Sequence, residues 1–127
     1  METHKDLRVW QQGIEMVTSI YLMTKSFPKE EVFGLASQLR RASVSVPSNI
    51  AEGYARGTDK EKLHFLRISS GSMSEVEIQL LLSLNLGYIN QEKYNELSEI
   101  VTSVWKQLNS LITSLKKRLI PHEPLPF

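Results

Sequence analysis

Apolar residues recur along the chain at intervals of three and four, the spacing that one face of an α-helix produces. Four such segments are separated by residues typical of helix ends and starts: Phe27-Pro28, Gly57-Thr58, Gly87 and Asn90. The pattern predicts helices over about 7–26, 31–56, 59–86 and 91–120, followed by a tail at 121–127. The expected fold is therefore all-α, an up-down antiparallel four-helix bundle in a single domain.

Polar residues and glycines mark the predicted helix ends. Asp6 is placed to cap the first helix, and Asn90 the fourth. Thr58 and Glu61 have the spacing of a capping box at the start of the third. Gly87 suits the left-handed residue that ends it.

Pro47 lies inside the second predicted segment. The apolar stripe continues in phase on both sides of it, which indicates one helix with a kink near Ser43–Ser45 and not two helices. An interior proline costs about 3 kcal/mol, because it has no N–H and clashes with the carbonyl four residues earlier, here that of Ser43. We expect the hydroxyls of Ser43, Ser45 and Ser48 to bond the carbonyls that the kink frees.

The first and third predicted helices are apolar on more than one side. Four helices in a monomer cannot easily cover such faces, so we expect a cyclic oligomer. The predicted interface residues are Val9, Met16, Ile20, Met23, Ile68, Ile78, Leu82 and Leu86. The alternative is that these residues simply extend the core of one chain.

The turn at 57–58 sets an expected register for the second and third helices. In an antiparallel hairpin, residues whose numbers add to about 115 lie at the same height. Arg40 and Arg41 then lie level with Glu75 and Glu77. We expect one arginine to pair with Glu77, because an unpaired carboxylate on an apolar face is costly.

The composition mainly excludes classes of function and of site. The 127 residues hold 15 Lys and Arg against 14 Asp and Glu, a net charge of +1, so any polyanion must bind a local basic patch. The absence of cysteine excludes disulfides and thiolate chemistry and favours the cytoplasm. Apolar runs are far shorter than the roughly 18 residues that a membrane span requires, so we expect no membrane association.

Motifs for catalysis or cofactors are weak. A di-iron bundle needs two Glu-x-x-His pairs, and the chain has only one, Glu61 with His64. The alternative is that Glu61 caps a helix and that His64 is a surface residue. No phosphate-binding glycine loop is present. We expect no catalytic residue, metal or cofactor, and a protein that is not an enzyme.

Basic residues form two modest clusters. The candidate nucleic-acid-binding residues are Arg41, Arg56, Lys60, Lys62, Arg67, Lys116, Lys117 and Arg118. Repeated around a ring, they would make a band of positive charge for RNA or DNA phosphates. The alternative for the last three is stabilisation of a helix C-terminus, and the alternative function is a protein-protein scaffold.

Three segments resemble one known family: DLRVWQ at 6–11, FPKEEVFGLASQLRRASVSVPSNIAEG at 27–53 and FLRISSGSMSEVEIQL at 65–80. The chain is similar to four-helix bundle proteins encoded in intervening sequences of bacterial large-subunit ribosomal RNA genes, related to the accessory variability proteins of diversity-generating retroelements. The motif positions are Leu39–Ala42, Pro47, Asn49–Gly53, Gly71-Ser72, Glu75, Glu77, Gln79 and Leu80. The resemblance implies a pentameric ring that binds nucleic acid, without enzymatic activity. In the retroelement branch it also implies a reverse transcriptase partner.

Overall fold

The computed structural model describes residues 3–120 and consists of four long helices. They are α1 (Arg8–Thr24), α2 (Leu35–Arg56), α3 (Asp59–Asn85) and α4 (Gln91–Leu119). Short 3-10 turns at His4–Asp6 and Lys29–Glu31 precede α1 and α2. Residues 3–120 contain no strand, so the all-α expectation is confirmed. The predicted tail at 121–127 lies outside the described residues.

Two helices begin with the predicted caps. Thr58 Oγ1 accepts the Glu61 N–H at 3.2 Å, and Asn90 Oδ1 accepts the Lys93 N–H at 2.8 Å, so each satisfies an N–H that the helix leaves unpaired. Gly87 has a φ of 76°, the left-handed conformation expected after α3. These residues fix where α3 and α4 start and where α3 ends.

The other two helix starts differ from the prediction. Asp6 does not cap α1; it closes the preceding 3-10 turn by accepting the Thr3 N–H at 3.0 Å, and Leu7 becomes the N-cap without a side-chain bond. The second helix begins at Leu35 and not at 31, because Gly34 has a non-helical backbone (φ −108°, ψ −118°). Acidic residues at 30–31 therefore lie in a turn before the helix and not in its first turn.

Pro47 lies inside α2, which is one continuous helix from Leu35 to Arg56. The Ser43 hydroxyl bonds the Arg40 carbonyl, one turn before the proline. The Val46 carbonyl, next to Pro47, accepts a bond from Ser69 of α3 at 2.8 Å. A hydrogen bond from the neighbouring helix thus supports α2 beside Pro47. No local sequence pattern indicates this role of Ser69. The kink itself stays a prediction.

The packing of α2 against α3 is close and has the predicted register. Ser69 bonds the carbonyl of Val46, and a Cβ on Gly53 would lie 3.3 Å from Lys62 Cα, so paired residue numbers add to 115. Small side chains make this approach possible. The hydrogen bond between Ser72 Oγ and Ser45 Oγ, at 2.8 Å, joins the two helices one turn away.

The buried face of α1 corrects part of the interface prediction. Four predicted interface residues are at most 6% exposed and belong to the core of the single chain: Val9, Met16, Ile20 and Met23. The parallel stripe through Trp10, Ile14, Val17 and Tyr21 is the partly exposed one. Both stripes are apolar, and Gly13 lies on the buried one, where α1 packs against the Pro47 ring of α2. Hydropathy alone therefore does not distinguish the two faces.

The two glycines allow a matched test of this packing. Gly53→Ala places a methyl group 3.0 Å from Phe65 Cβ and 3.3 Å from the α3 backbone, so the helices must move apart. We expect it to lower the free energy of unfolding by about 1–3 kcal/mol.

The control is Gly13→Ala, whose methyl group meets Pro47 Cβ at an ordinary 3.5 Å. This change should raise the free energy of unfolding by up to about 1 kcal/mol, because alanine favours a helix over glycine. Urea titrations of both variants measure the effects. Equal changes in the two variants would contradict the close α2–α3 packing.

Glu31 joins the turn before α2 to the α3–α4 connection. Its Oε1 accepts the Leu35 N–H at 3.2 Å, and its Oε2 accepts the Tyr88 hydroxyl at 2.7 Å. The hydrogen bond from Tyr88, then that from Leu35, lowers the pKa of Glu31 below 4.5, against a smaller opposing effect of burial. The same bond, followed by burial, raises the pKa of Tyr88 above 10.0. Both shifts favour the carboxylate-phenol pair at neutral pH.

We expect Tyr88→Phe to flatten the acid side of the stability curve. Since the folded pKa of Glu31 lies below its unfolded value, its stabilisation is complete above about pH 4.5 and is lost as the pH falls through the folded pKa. Without the Tyr88 hydroxyl, the folded pKa of Glu31 lies closer to its unfolded value. Thermal melts between pH 7 and pH 3 should show a smaller decrease of stability for the variant.

Tyr94→Phe is the matched control, because Tyr94 makes no side-chain hydrogen bond within residues 3–120. It should follow the parent protein at every pH. A parent-like acid dependence in Tyr88→Phe would show that the hydrogen bond to Glu31 does not contribute.

Candidate functional site

One end of the bundle concentrates positive charge. Because the helices alternate in direction, the first turns of α1 and α3 meet the last turns of α2 and α4 there, as the ion pair between Arg118 and Asp59 shows. We call this the basic end. Its nine basic residues are Lys5, Arg8, Arg56, Lys60, Lys62, Arg67, Lys116, Lys117 and Arg118. Its four acidic residues are Asp6, Glu52, Asp59 and Glu61.

The opposite end has the opposite balance. Around the α1–α2 connection and the first turns of α4 lie three basic residues, Lys25, Lys29 and Lys93. Five acidic residues lie with them: Glu30, Glu31, Glu92, Glu96 and Glu99. A net charge of +1 for the whole chain therefore conceals a separation of charge along the bundle.

Some cations at the basic end are already engaged. Arg56 Nη2 lies 2.8 Å from Glu52 Oε1, and its guanidinium lies 5.4 Å from the Phe65 ring centroid. Arg118 Nε lies 3.4 Å from Asp59 Oδ2. Lys62 Nζ lies 4.8 Å from the Tyr54 ring centroid. These three are oriented by neighbours, but only the two arginines have a carboxylate partner.

Other cations have no carboxylate within 4.0 Å among residues 3–120. They are Lys60, Arg67, Lys116 and Lys117, all exposed. Lys5, in the 3-10 turn before α1, and Arg8, the first residue of α1, lie at the same end and were not among the residues predicted from the sequence. Their position at the start of the first predicted helix is the sequence feature that could have identified them.

Arg41 does not belong to this cluster. It lies 15 residues before Arg56 in the same helix, which at 1.5 Å per residue is about 22 Å away along the bundle. Arg41 is an exposed residue in the middle of the bundle and lies apart from the basic end, and its contact with nucleic acid stays a prediction.

The predicted ion pair is also absent. No salt bridge within residues 3–120 joins Arg40 or Arg41 to Glu75 or Glu77. Glu77 is exposed to solvent, so it needs no buried partner. Arg40 turns instead toward α1, where its Nε donates to Thr24 Oγ1 at 2.8 Å and its guanidinium lies 4.9 Å from the Tyr21 ring centroid.

Apolar side chains remain exposed on two sides of the bundle. The predicted interface residues of α3 and its C-cap are 40–62% exposed: Ile68, Ile78, Leu82 and Leu86. On the other side, a shallow groove between α1 and α2 is lined by Trp10, Ile14, Val17, Val44, Pro47, Ser48 and Ala51. We call it the α1–α2 groove. Phe33, in the turn before α2, is 96% exposed.

Metal and membrane sites find no support in the described part of the chain. Residues 3–120 contain no group of three or more His, Asp or Glu placed to hold a metal ion. None of the described helices is long and apolar enough to cross a bilayer. The charge separation and the exposed apolar faces are the features of this surface that a function must explain.

The model of the 23S rRNA-intervening sequence protein family matches residues 5–110, most of the chain. The chain belongs to this family. The match covers α1, α2, α3 and most of α4, including the exposed face of α3, but it ends before Lys116, Lys117 and Arg118 of the basic end. The relation to retroelement accessory proteins stays a prediction.

A solved structure supports the fold of this intervening-sequence family member. It is a protein of unknown function from the S23 ribosomal protein family of Bacteroides thetaiotaomicron VPI-5482, with a TM-score of 0.76 and 24% sequence identity. The alignment covers 83% of this chain and 95% of that one. A search of curated proteins finds no match.

Proposed function

We propose that this protein is a non-catalytic, oligomeric nucleic-acid-binding protein whose basic end contacts phosphates. The observation that carries the proposal is the nine-to-four excess of basic over acidic residues at one end of a nearly neutral chain. The family name connects its members with 23S rRNA, which makes RNA the first ligand to test.

The chemistry of the basic end fits backbone recognition. Lysine and arginine side chains bind phosphate oxygens without reading bases, so affinity is sequence-independent and falls log-linearly with salt. Lys116 and Lys117 are exposed in the last turn of α4, where a phosphate chain can reach them. Their alternative role, stabilising the C-terminus of α4, does not require nucleic acid.

Assembly into a ring would strengthen this binding. Exposed apolar faces on two different sides of one chain suit a head-to-tail interface, which closes into a ring when the rotation allows it. Each added subunit then contributes another basic end to the same side, so several weak interactions act on one polymer. Five subunits is the number that the family resemblance implies.

We expect Lys116→Ala with Lys117→Ala to weaken binding of RNA and DNA oligonucleotides of any sequence. The plot of log affinity against log salt should flatten by about 0.7 to 0.9 for each phosphate that the variant no longer neutralises. Fluorescence anisotropy at several salt concentrations measures both quantities.

The matched control is Lys25→Ala with Lys29→Ala, which removes the same charge from the opposite end. Binding by this variant should stay close to that of the parent. An equal decrease in both variants would indicate a net-charge effect and contradict a local site. No binding at low salt would defeat the nucleic-acid proposal and favour the protein-protein scaffold, which the exposed apolar faces also support.

A further inference from the structure

Arg40 is held in place at one end of the α1–α2 groove. Its Nε donates to Thr24 Oγ1, and Thr24 is itself 3% exposed and donates to the Ile20 carbonyl at 2.8 Å. The guanidinium lies 4.9 Å from the Tyr21 ring centroid. Within residues 3–120 it has no carboxylate partner, so a fixed positive charge lies beside an apolar groove.

The exposed face of α3 has the complementary features. Ile68, Gly71, Glu75, Ile78 and Leu82 follow one another at alternating intervals of three and four, which places them in one stripe. We call it the α3 stripe. A Cβ added to Gly71 would meet nothing within 4 Å, so no packing inside the chain explains a glycine at this mid-helix position. Glu75 is exposed and has no basic partner in the described chain.

The register of α2 against α3 places these features at matching heights. Since paired residue numbers add to 115, Arg40 is level with Glu75, and Val44 is level with Gly71. In a ring whose axis runs along the bundle, rotation preserves height. If the groove of one copy faces the α3 stripe of the next, Arg40 lies opposite Glu75.

We infer that the α3 stripe of a second copy docks in the α1–α2 groove, with Arg40 pairing with Glu75 of the partner subunit. Charge and size both match: a positive group faces a carboxylate, and the 37%-exposed Val44 faces the space left by Gly71. The interface is heterologous, since each copy uses its groove on one side and its stripe on the other. This inference rests on the oligomer in the proposed function and names its interface.

Charge reversal tests the interface. Glu75→Arg places two cations together across it and should raise the dissociation constant of the assembly at least about tenfold. Because Glu75 has no basic partner in its own described chain, the fold should be unaffected. Glu77→Arg is the matched control: it makes the same change two residues away, off the stripe, and should leave assembly unchanged. Sedimentation velocity over a range of concentrations measures both.

The double variant Arg40→Glu/Glu75→Arg reverses the pair and should recover the assembly that Glu75→Arg alone weakens. Gly71→Leu, which fills the space opposite Val44, should also dissociate the assembly while circular dichroism stays helical. Parent-like assembly of both Glu75→Arg and Gly71→Leu would overturn the inference, as would a monomeric parent. Nucleic-acid binding is measured separately, so disruption of this interface and disruption of the basic end give different results.

Discussion

The close approach of α2 and α3 is the interaction on which the other features depend. It requires a glycine at 53, where a Cβ would lie 3.0 Å from Phe65 Cβ, and serines at the two points where hydroxyls join the helices. Larger side chains would separate the helices and remove the bond from Ser69 that supports α2 beside Pro47. The same packing fixes the register, and the register decides which charges share a height.

That register also sets where the basic residues and the exposed apolar residues lie along the bundle. The hairpin turn at Gly57 brings the last turn of α2 and the first turns of α3 together, so their basic residues meet at one end. The groove and the α3 stripe begin beside that end, at Trp10 and Ile68, and extend to the middle of the bundle. The proposed surfaces for assembly and for phosphate share no residue, so a substitution in one can leave the other intact.

Much of this architecture is predictable from local chemistry, because helix caps and turns depend on neighbouring residues. Thr58, Asn90 and Gly87 fix their ends in this way, and the turn at 57–58 is enough to predict the register of α2 against α3. The faces of α1 are not predictable by hydropathy, since both stripes are apolar and the packing of α1 against α2 and α4 decides which one is buried. The partners of Arg40 are equally hidden in the sequence: Thr24 and Tyr21 are 16 and 19 residues away, on another helix.

A low net charge is compatible with binding a polyanion when the charges are far apart. The 27 residues of α3 span about 40 Å at 1.5 Å per residue, whereas the Debye length at physiological salt is about 8 Å. A phosphate chain at the basic end is therefore screened from the acidic residues at the other end and responds to the local excess of cations. In a ring the excess is repeated at each subunit on the same side, so the local field grows with subunit number. If the basic end binds phosphate, the number of basic residues without an internal carboxylate partner limits the affinity, so we expect Lys116 and Lys117 to contribute more than Arg56, which is paired with Glu52.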